Sequence, residues 1–152
     1  MDANQFKQVL EATPLVSIDL IVFNNEEKVL LGLRKNRPAQ GFWFVPGGRI
    51  FKNETLSDAF KRLTLVELGK EYSIEQASLL GAFDHIYDDS IFGDKITTHY
   101  VALGYQLHIS DLSNLPLQQH TEYRWLSISE LLGDKETHRN VKKYFFLVQQ
   151  IN

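Results

Sequence analysis

One segment near the middle of the chain constrains the fold more than any other. It runs from Gly48 to Gly69 and reads GRIFKNETLSDAFKRLTLVELG. Apolar side chains three or four positions apart predict a helix over residues 55–68, and Gly69 is typical of a residue that ends a helix. Glycines before the helix allow backbone carbonyls to come close to carboxylates, which Glu54 and Glu67 supply. Oxygen ligands of this kind suit a hard cation such as Mg²⁺, which can carry a diphosphate.

The composition excludes several classes of function. The chain has 152 residues, 43% of them hydrophobic, which suits one core and a single domain over residues 1–152. Because it has no cysteine, disulfides, zinc–thiolate sites and thiol nucleophiles are excluded. A net charge of -3 without a block of lysine or arginine argues against nonspecific binding to nucleic acids. There is no start typical of a signal peptide and no apolar run near the roughly 20 residues of a membrane helix, so we expect a cytoplasmic protein that binds no membrane.

The hydrophobic pattern of the whole chain predicts a mixture of helices and strands. The predicted order is a helix over 3–13, a hairpin of strands 15–23 and 28–34, a short strand 42–45, the helix 55–68, an antiparallel pair 78–89 and 95–107, a short strand around 123–125, a helix that begins at 127–130, and a last helix over about 138–150. This order indicates an α/β (α+β) domain in which a mixed β-sheet is sandwiched between α-helices.

The spacing within the central segment resembles the Nudix box, the sequence signature of the Nudix hydrolases. In that box a Gly, a Glu, an Arg-Glu pair, a Glu-Glu pair and a closing Gly stand at these intervals. Two of the four carboxylates are missing here, because Leu63 follows Arg62 where the box has Glu, and Val66 replaces the first Glu of the later pair. The acids that remain predict one Mg²⁺ per subunit, with Mn²⁺ as a substitute, and a general base outside the box.

Further similarity points to one branch of the Nudix hydrolases. The resemblance to the GDP-mannose mannosyl hydrolases extends over TPLVSIDLIV (13–22), NRPAQGFWFVPGGR (36–49) and THYVALGYQ (98–106). It implies Mg²⁺-dependent hydrolysis of GDP-mannose, with GDP-glucose as a second candidate substrate, to GDP and the free sugar. In that branch water attacks the anomeric carbon with inversion and does not attack phosphorus. The resemblance also implies a homodimer.

The same resemblance implies roles for individual residues. The implied metal ligands are the backbone carbonyl of Gly47 and the side chains of Glu67 and Gln119. His120 is the implied general base, and the ordinary histidine pKa of about 6.5 suits that role. The arginines suit a departing diphosphate, because guanidinium groups bind phosphate oxygens bidentately and stay charged. The other residues implied in catalysis or substrate binding are Arg34, Arg49, Arg62, Asp19, His85 and Tyr100.

Several residues are also interpreted from their positions. Asp19 lies in an aliphatic strand, where an unpaired charge is costly, and a nearby arginine or a sugar hydroxyl would satisfy it. Arg62 either faces the substrate or forms an ion pair in helix packing, and in Nudix boxes this arginine often orients the metal-binding carboxylate. Asp88, in a polar loop, is a candidate contact for sugar hydroxyls. His108 and His138 are expected at the surface.

Two other functions are open to a chain with these residues. One is a conventional Nudix pyrophosphohydrolase, which cleaves the P–O–P bond of a nucleotide sugar or of another nucleoside diphosphate derivative. Leu63 and Val66 argue against it, because they remove box acids. The other is a noncatalytic module that senses a nucleotide sugar, and the joint presence of Glu67, Gln119 and His120 argues against that. The identity of the products separates these functions.

Overall fold

A mixed β-sheet with helices on both faces forms the protein, as the sequence predicts. The computed structural model describes residues 1–112, 115 and 122–151, and within this range all side chains except those of residues 147–151. The α-helices in this range are α1 (Ala3–Ala12), α2 (Leu56–Leu68), α3 (Ile128–Gly133) and α4 (Arg139–Ile151). The strands are β1 (Leu15–Phe23), β2 (Val29–Leu33), β3 (Trp43–Phe44), β4 (Gly47–Arg49), β5 (Ser78–Tyr87), β6 (Thr98–His108) and β7 (Tyr123–Leu126). Within the described residues, no helix has both the length and the apolar character that crossing a membrane requires.

The strands pair in the order β3-β2-β1-β6-β5, with β4 also paired to β1 and β7 to β2. Strands β1 and β6 are parallel, from Leu15 beside Tyr100 to Phe23 beside His108, whereas the other pairs are antiparallel. The parallel pair lies inside the sheet, and helices cover both of its faces. Strand β1 is therefore fixed against β6 along its whole length.

Strand β1 is buried on both faces, which explains its nearly continuous run of apolar residues. Leu20 and Val22 pack in a core with α2, whereas Ile21 and Phe23 pack in a core with α3 and α4. Because side chains alternate along a strand, Asp19 lies on the same face as Ile21. An acid is thus placed on the side of the sheet that α4 covers.

Strand β4 is not predicted by the sequence pattern, which gives one short strand over 42–45. Glycine has a low β-propensity, so the residues of β4 carry no local signal for a strand. The strand forms because β1 supplies an antiparallel partner, with Asp19 opposite Gly47. A Cβ added to Gly47 would lie 2.4 Å from the Ile18 carbonyl oxygen and 2.7 Å from Asp19 Oδ1, so this close approach requires glycine.

Helix α4 is anchored to the sheet by a tyrosine that packs over a glycine. Gly104 in β6 lies beside Asp19 in the parallel register. A Cβ added to Gly104 would lie 2.5 Å from Cε1 of Tyr144, which is fully buried. The Tyr144 ring also meets the Phe83 ring edge-on, with 4.6 Å between centroids. The space left by the missing side chain of Gly104 is therefore filled by Tyr144.

We expect the substitution Gly104→Ala to destabilise the protein by about 1–3 kcal/mol, because the added methyl group overpacks a closed core. Gly133→Ala is the matched control, since no heavy atom lies within 4 Å of a Cβ added at that helical position. The control should be neutral or stabilising by up to about 1 kcal/mol. Urea unfolding of the two variants measures the difference, and equal free energies of unfolding would contradict this packing.

Candidate active site

A cavity of about 100 Å³ opens where β1, β4, β5 and β6 meet the loop after β2. Its lining residues are Ser17, Asp19, Arg34, Pro38, Phe44, Val45, Gly47, Gly48, Arg49, His85, Tyr87 and Tyr100. The sheet thus brings together residues that are far apart in the chain. Six of these lining residues are ones to which the sequence resemblance assigns a role in the site: Asp19, Arg34, Gly47, Arg49, His85 and Tyr100.

Asp19 is the buried acid of the cavity. It is 6% exposed, and its Oδ2 accepts a hydrogen bond of 2.5 Å from the hydroxyl of Tyr144 in α4. Burial raises the pKa of Asp19 to about 7, against the lowering effects of this hydrogen bond and of the Arg34 charge. The negative charge of Glu67 adds to the increase. A tyrosine therefore donates to this carboxyl, where the sequence suggested a nearby arginine or a sugar hydroxyl.

His85 lies next to Asp19 on β5. Its Nδ1 is 3.6 Å from Asp19 Oδ2, and its ring meets the Tyr144 ring edge-on with 5.4 Å between centroids. Burial lowers the pKa of His85 to about 4, and the positive charge of Lys143 lowers it further. His85 is thus neutral near pH 7 and serves the cavity as a hydrogen-bonding group, not as a cation.

Arg34 and Arg49 bring positive charge to the cavity. The Nε of Arg34 donates a hydrogen bond of 2.8 Å to the Pro38 carbonyl, which restrains the plane of its guanidinium group. The guanidinium carbon of Arg49 lies 5.1 Å from the ring centroid of Phe6 and 4.7 Å from that of Phe51. Two restrained guanidinium groups at one cavity suit an anion with several oxygens, such as a diphosphate.

Two tyrosines complete the polar part of the lining. Burial raises the pKa of Tyr100, while the charges of Arg34 and Arg49 partly oppose this effect. Burial also raises the pKa of Tyr87. Both hydroxyls therefore keep their protons near pH 7 and can donate to an anion.

Arg62 does not line the cavity but restrains the loop before α2. Its Nε donates to Glu54 Oε2 at 2.7 Å, and its Nη2 donates to Glu54 Oε1 at 3.0 Å and to the Arg49 carbonyl at 2.9 Å. Glu54 Oε1 also accepts a 3.0 Å hydrogen bond from the Phe51 backbone N–H. The hydrogen bond from Arg62 lowers the pKa of Glu54. These contacts match the ion-pair interpretation of Arg62 and hold the segment that carries Arg49.

Asp88 also lies outside the cavity. It is exposed and lines a neighbouring depression of about 360 Å³, which shares Tyr87 with the cavity. A contact between Asp88 and a sugar hydroxyl would therefore require a substrate that extends past Tyr87.

The implied metal ligands are partly described. Gly47 lines the cavity, whereas Glu67 is 6% exposed on α2 and is not part of the lining. Gln119 and the implied base His120 lie outside the described residues. In the described ranges, no three His, Cys, Asp or Glu side chains are grouped so that they could hold a metal ion.

The two described oxygen donors fit a divalent cation. The N–H of Leu20 donates to the Pro46 carbonyl at 2.8 Å, which makes these two residues a hydrogen-bonded pair of the β1–β4 ladder. Because antiparallel ladders alternate, the next pair, Asp19 and Gly47, is not hydrogen-bonded, and the Gly47 carbonyl points away from β1. Together with the buried carboxylate of Glu67 it offers hard oxygen ligands, which Mg²⁺ prefers.

The two box positions that lack acids hold apolar side chains in different surroundings. Leu63 is 3% exposed, and a Cβ added to Gly48 would lie 2.7 Å from Leu63 Cδ2. Val66 is partly exposed on α2. One acid of the box has thus been replaced by a core contact beneath the glycine loop, and the other by an apolar residue at the surface.

His138 is buried, so the expectation that it lies at the surface is wrong. It is 6% exposed, and its Nδ1 accepts a 3.0 Å hydrogen bond from the Asn140 backbone N–H in the first turn of α4. Its ring packs against those of Phe44 and Tyr87, which line the cavity. Burial lowers the pKa of His138 to about 4. His108, in contrast, is exposed as expected.

Sequence reasoning missed Tyr144, which supports the cavity from α4. Tyr144 lies in an amphipathic helix, where a tyrosine is ordinarily a core residue. The one available signal was Asp19, since an acid in an aliphatic strand requires a donor. That signal does not say which residue supplies the donor, because the contact joins positions 125 residues apart.

Comparison with known proteins finds relatives by sequence and by structure. The NUDIX domain family matches residues 13–147. The chain is 43% identical over 122 residues to the low-salt glycan biosynthesis protein Agl8 of Haloferax volcanii, and the alignment covers 80% of this chain and 76% of that protein. The MutT protein from Methanosarcina mazei Go1 matches with a TM-score of 0.75 at 20% identity, over 93% of this chain and 97% of that one. A MutT NUDIX hydrolase from Burkholderia pseudomallei matches with a TM-score of 0.70 at 27% identity, over 90% of this chain and 98% of that one.

We expect the buried histidines to make the protein less stable in acid. A histidine in the unfolded chain binds a proton near pH 6.5, whereas folded His85 and His138 bind it near pH 4. Because the folded state holds these two rings in the neutral form, its stability is highest above pH 6.5, where histidines of the unfolded chain are neutral too. This stability is lost as the pH falls toward 4. His138→Asn keeps an oxygen that can cap α4 and removes one titrating group. Between about pH 7.5 and about pH 5.5, we expect this variant to lose about 1 kcal/mol less stability than the wild type.

Urea unfolding at the two pH values measures this difference. His108→Asn is the control for the same exchange at an exposed position, and it should not reduce the loss of stability in acid. If His138→Asn follows the wild-type curve as well, the buried His138 ring does not have a depressed pKa.

Proposed function

Because this chain belongs to the NUDIX family of hydrolases, we propose that it is a magnesium-dependent enzyme that hydrolyses GDP-mannose to GDP and mannose. In this reaction water attacks the anomeric carbon with inversion, and GDP is the leaving group. GDP-glucose is the second candidate substrate. We also propose a homodimer, which the resemblance described above supports, and a cytoplasmic location.

The observation that carries the proposal is the loss of box acids beside a cationic cavity. Leu63 is buried in the core and Val66 is an apolar surface residue, so neither can bind a metal ion or act as a base in attack on phosphorus. Arg34 and Arg49, in contrast, line the cavity. Fixed positive charges of this kind stabilise a diphosphate that departs from carbon, because they act where negative charge develops.

The relatives support a substrate that contains a sugar. Agl8, which is 43% identical to this chain over 122 residues, is named for glycan biosynthesis. The cavity also contains polar groups that suit sugar hydroxyls, in particular the buried Asp19 carboxyl and the neutral His85 ring. A sugar joined to a diphosphate would use both the polar and the cationic parts of the lining.

In the proposed step, the residues of the chain act on both sides of the scissile carbon–oxygen bond. A bond forms between the water oxygen and the anomeric carbon, and His120 accepts the proton that the water loses. The bond from the anomeric carbon to the diphosphate oxygen breaks, and its electron pair leaves with GDP. Arg34 and Arg49 bind the diphosphate oxygens, and Tyr100 donates a hydrogen bond to them. A single displacement of this kind inverts the anomeric carbon.

The metal belongs to the leaving-group side of the site. Gly47, Glu67 and Gln119 are the residues that would hold Mg²⁺, through one backbone carbonyl and two side-chain oxygens. When bound, Mg²⁺ supplies positive charge to the leaving diphosphate. Arg62 and Glu54 contribute indirectly, because their ion pair holds the segment that carries Arg49.

Hydrolysis of GDP-mannose in water enriched in oxygen-18 tests the site of attack. We expect the label in mannose and none in GDP, because the bond to carbon is the one that breaks. Proton NMR during the reaction should show the inverted anomer of mannose first. Label in a phosphate group, with GMP and mannose 1-phosphate as products, would instead identify a pyrophosphohydrolase. Tight, metal-independent binding without turnover would identify a binding module.

Substitution of Glu67 tests the metal site. In Glu67→Gln we expect the Mg²⁺ concentration for half-maximal activity to increase by at least about tenfold, since the loss of partners outside the first ligand shell can already cost that much. Glu71→Gln is the matched control, because Glu71 is exposed just beyond the end of α2. The control should keep the wild-type metal dependence. An unchanged Mg²⁺ requirement in Glu67→Gln would remove Glu67 from the ligand set.

A further inference from the structure

A tyrosine from the last helix holds the buried acid of the cavity, although nothing in the proposed reaction requires it to touch the substrate. Tyr144 Oη donates its 2.5 Å hydrogen bond to Oδ2 of Asp19, and Tyr144 itself is fully buried and does not line the cavity. We propose that Tyr144 is a positioning residue, whose hydroxyl fixes the Asp19 carboxyl so that the other oxygen is presented toward Gly47. This inference rests on the proposed function, in which Asp19 contacts the sugar.

The sheet leaves space for the Tyr144 ring at Gly104. Gly104 lies beside Asp19 in the parallel register, and a Cβ on Gly104 would lie 2.5 Å from Cε1 and 2.8 Å from Cδ1 of the Tyr144 ring. The ring is held edge-on by Phe83 at 4.6 Å and by His85 at 5.4 Å between centroids. A ring closed in on these sides cannot turn its hydroxyl away from Asp19 without repacking the core.

The hydrogen bond determines which way the carboxyl faces. Oδ2 is directed to Tyr144, whereas Oδ1 lies on the side of Gly47, 2.7 Å from where a Cβ on that glycine would be. Gly47 lines the cavity, as Asp19 does. The oxygen that Tyr144 does not use is therefore the one on the side of β4, where the substrate is proposed to bind.

Without the hydroxyl, the carboxyl would compete for groups that the cavity needs. A buried carboxyl that loses its donor must find another. One alternative is His85, whose Nδ1 is 3.6 Å from Oδ2, and the charge of Arg34 also acts on Asp19. A carboxyl turned toward either would withdraw that group from the substrate. Tyr144 thus keeps the Asp19 carboxyl from turning toward His85 or Arg34, so that all three groups remain available to the substrate.

Substitution of Tyr144 by phenylalanine removes the hydroxyl and keeps the ring. With GDP-mannose as substrate, we expect Tyr144→Phe to lower kcat by about 10- to 100-fold, because small displacements of a positioned group cost rates of that order. KM should change by less than about threefold, since the arginines that bind the diphosphate keep their contacts. Tyr105→Phe is the control: Tyr105 is a buried tyrosine of the same strand as Gly104, on the α2 face of the sheet. It should retain wild-type kinetics.

A double-mutant cycle separates positioning from general support of the core. In an Asp19→Ala background, we expect Tyr144→Phe to change kcat by less than about threefold, because the residue through which it acts is gone. Losses that multiply in the double variant would overturn the proposal, and so would a Tyr144→Phe variant with wild-type kcat. Thermal unfolding of each variant shows whether it is folded at the assay temperature.

A crystal structure of Tyr144→Phe gives a readout that does not depend on turnover. We expect the Asp19 carboxyl to have rotated toward His85 or Arg34, and an unmoved carboxyl would overturn the proposal even if kcat were reduced. The proposed function is judged separately, from the products of the wild-type enzyme. A wild type that releases GMP would refute hydrolysis at carbon, while the ratio of variant to wild-type kcat would still decide the role of Tyr144.

Discussion

The parallel pairing of β1 with β6 is the constraint on which the cavity depends. It sets Asp19 beside Gly104, and the side chain that Gly104 lacks makes room for a ring from α4. Strand β5 pairs with the other edge of β6 and brings His85 opposite Tyr100. A shift of β1 by one residue would turn Asp19 to the α2 face and replace it with an aliphatic side chain. The cavity therefore depends on one register within the sheet, whereas the arginines around it come from the loop after β2 and from the end of β4.

The buried groups of this site reduce the stability of the fold at opposite ends of the pH range. Burial raises the pKa of Asp19 to about 7, so stability that is present below its ordinary pKa of 3.8 is lost as the pH rises through 7. Burial lowers the pKa of His85 and His138 to about 4, so stability that is present above 6.5 is lost as the pH falls. Two histidines outweigh one acid below pH 6.5, so the combined contribution of these three groups to stability is greatest near the ordinary histidine pKa. A cost of this kind is typical of a functional site.

The features that the sequence predicts are those with a local physical cause. Strand β1 and helix α2 follow from hydrophobic pattern and from a glycine stop, and their observed bounds lie within a residue of those predicted. Strand β4 has no such pattern, because its glycines become a strand only beside β1. The contact between Asp19 and Tyr144 spans 125 positions. His138 precedes a helix in a polar stretch that is typical of a surface, and it is buried against the rings of Phe42, Phe44 and Tyr87. All three features depend on contacts between distant parts of the chain.

The missing box acids and the protonation of the cavity residues both reduce the negative charge near the arginines. Leu63 is buried in the core, and the raised pKa of Asp19 leaves that carboxyl partly protonated near pH 7. His85 is neutral near pH 7, and Arg34 contributes a guanidinium group to the lining. Each acid removed from the box lowers both the number of cations that the site can hold and the negative charge that would oppose a departing diphosphate. In the proposed reaction, a cavity with fewer carboxylates would therefore rely on arginines to stabilise the leaving group, where a full box would rely on several metal ions.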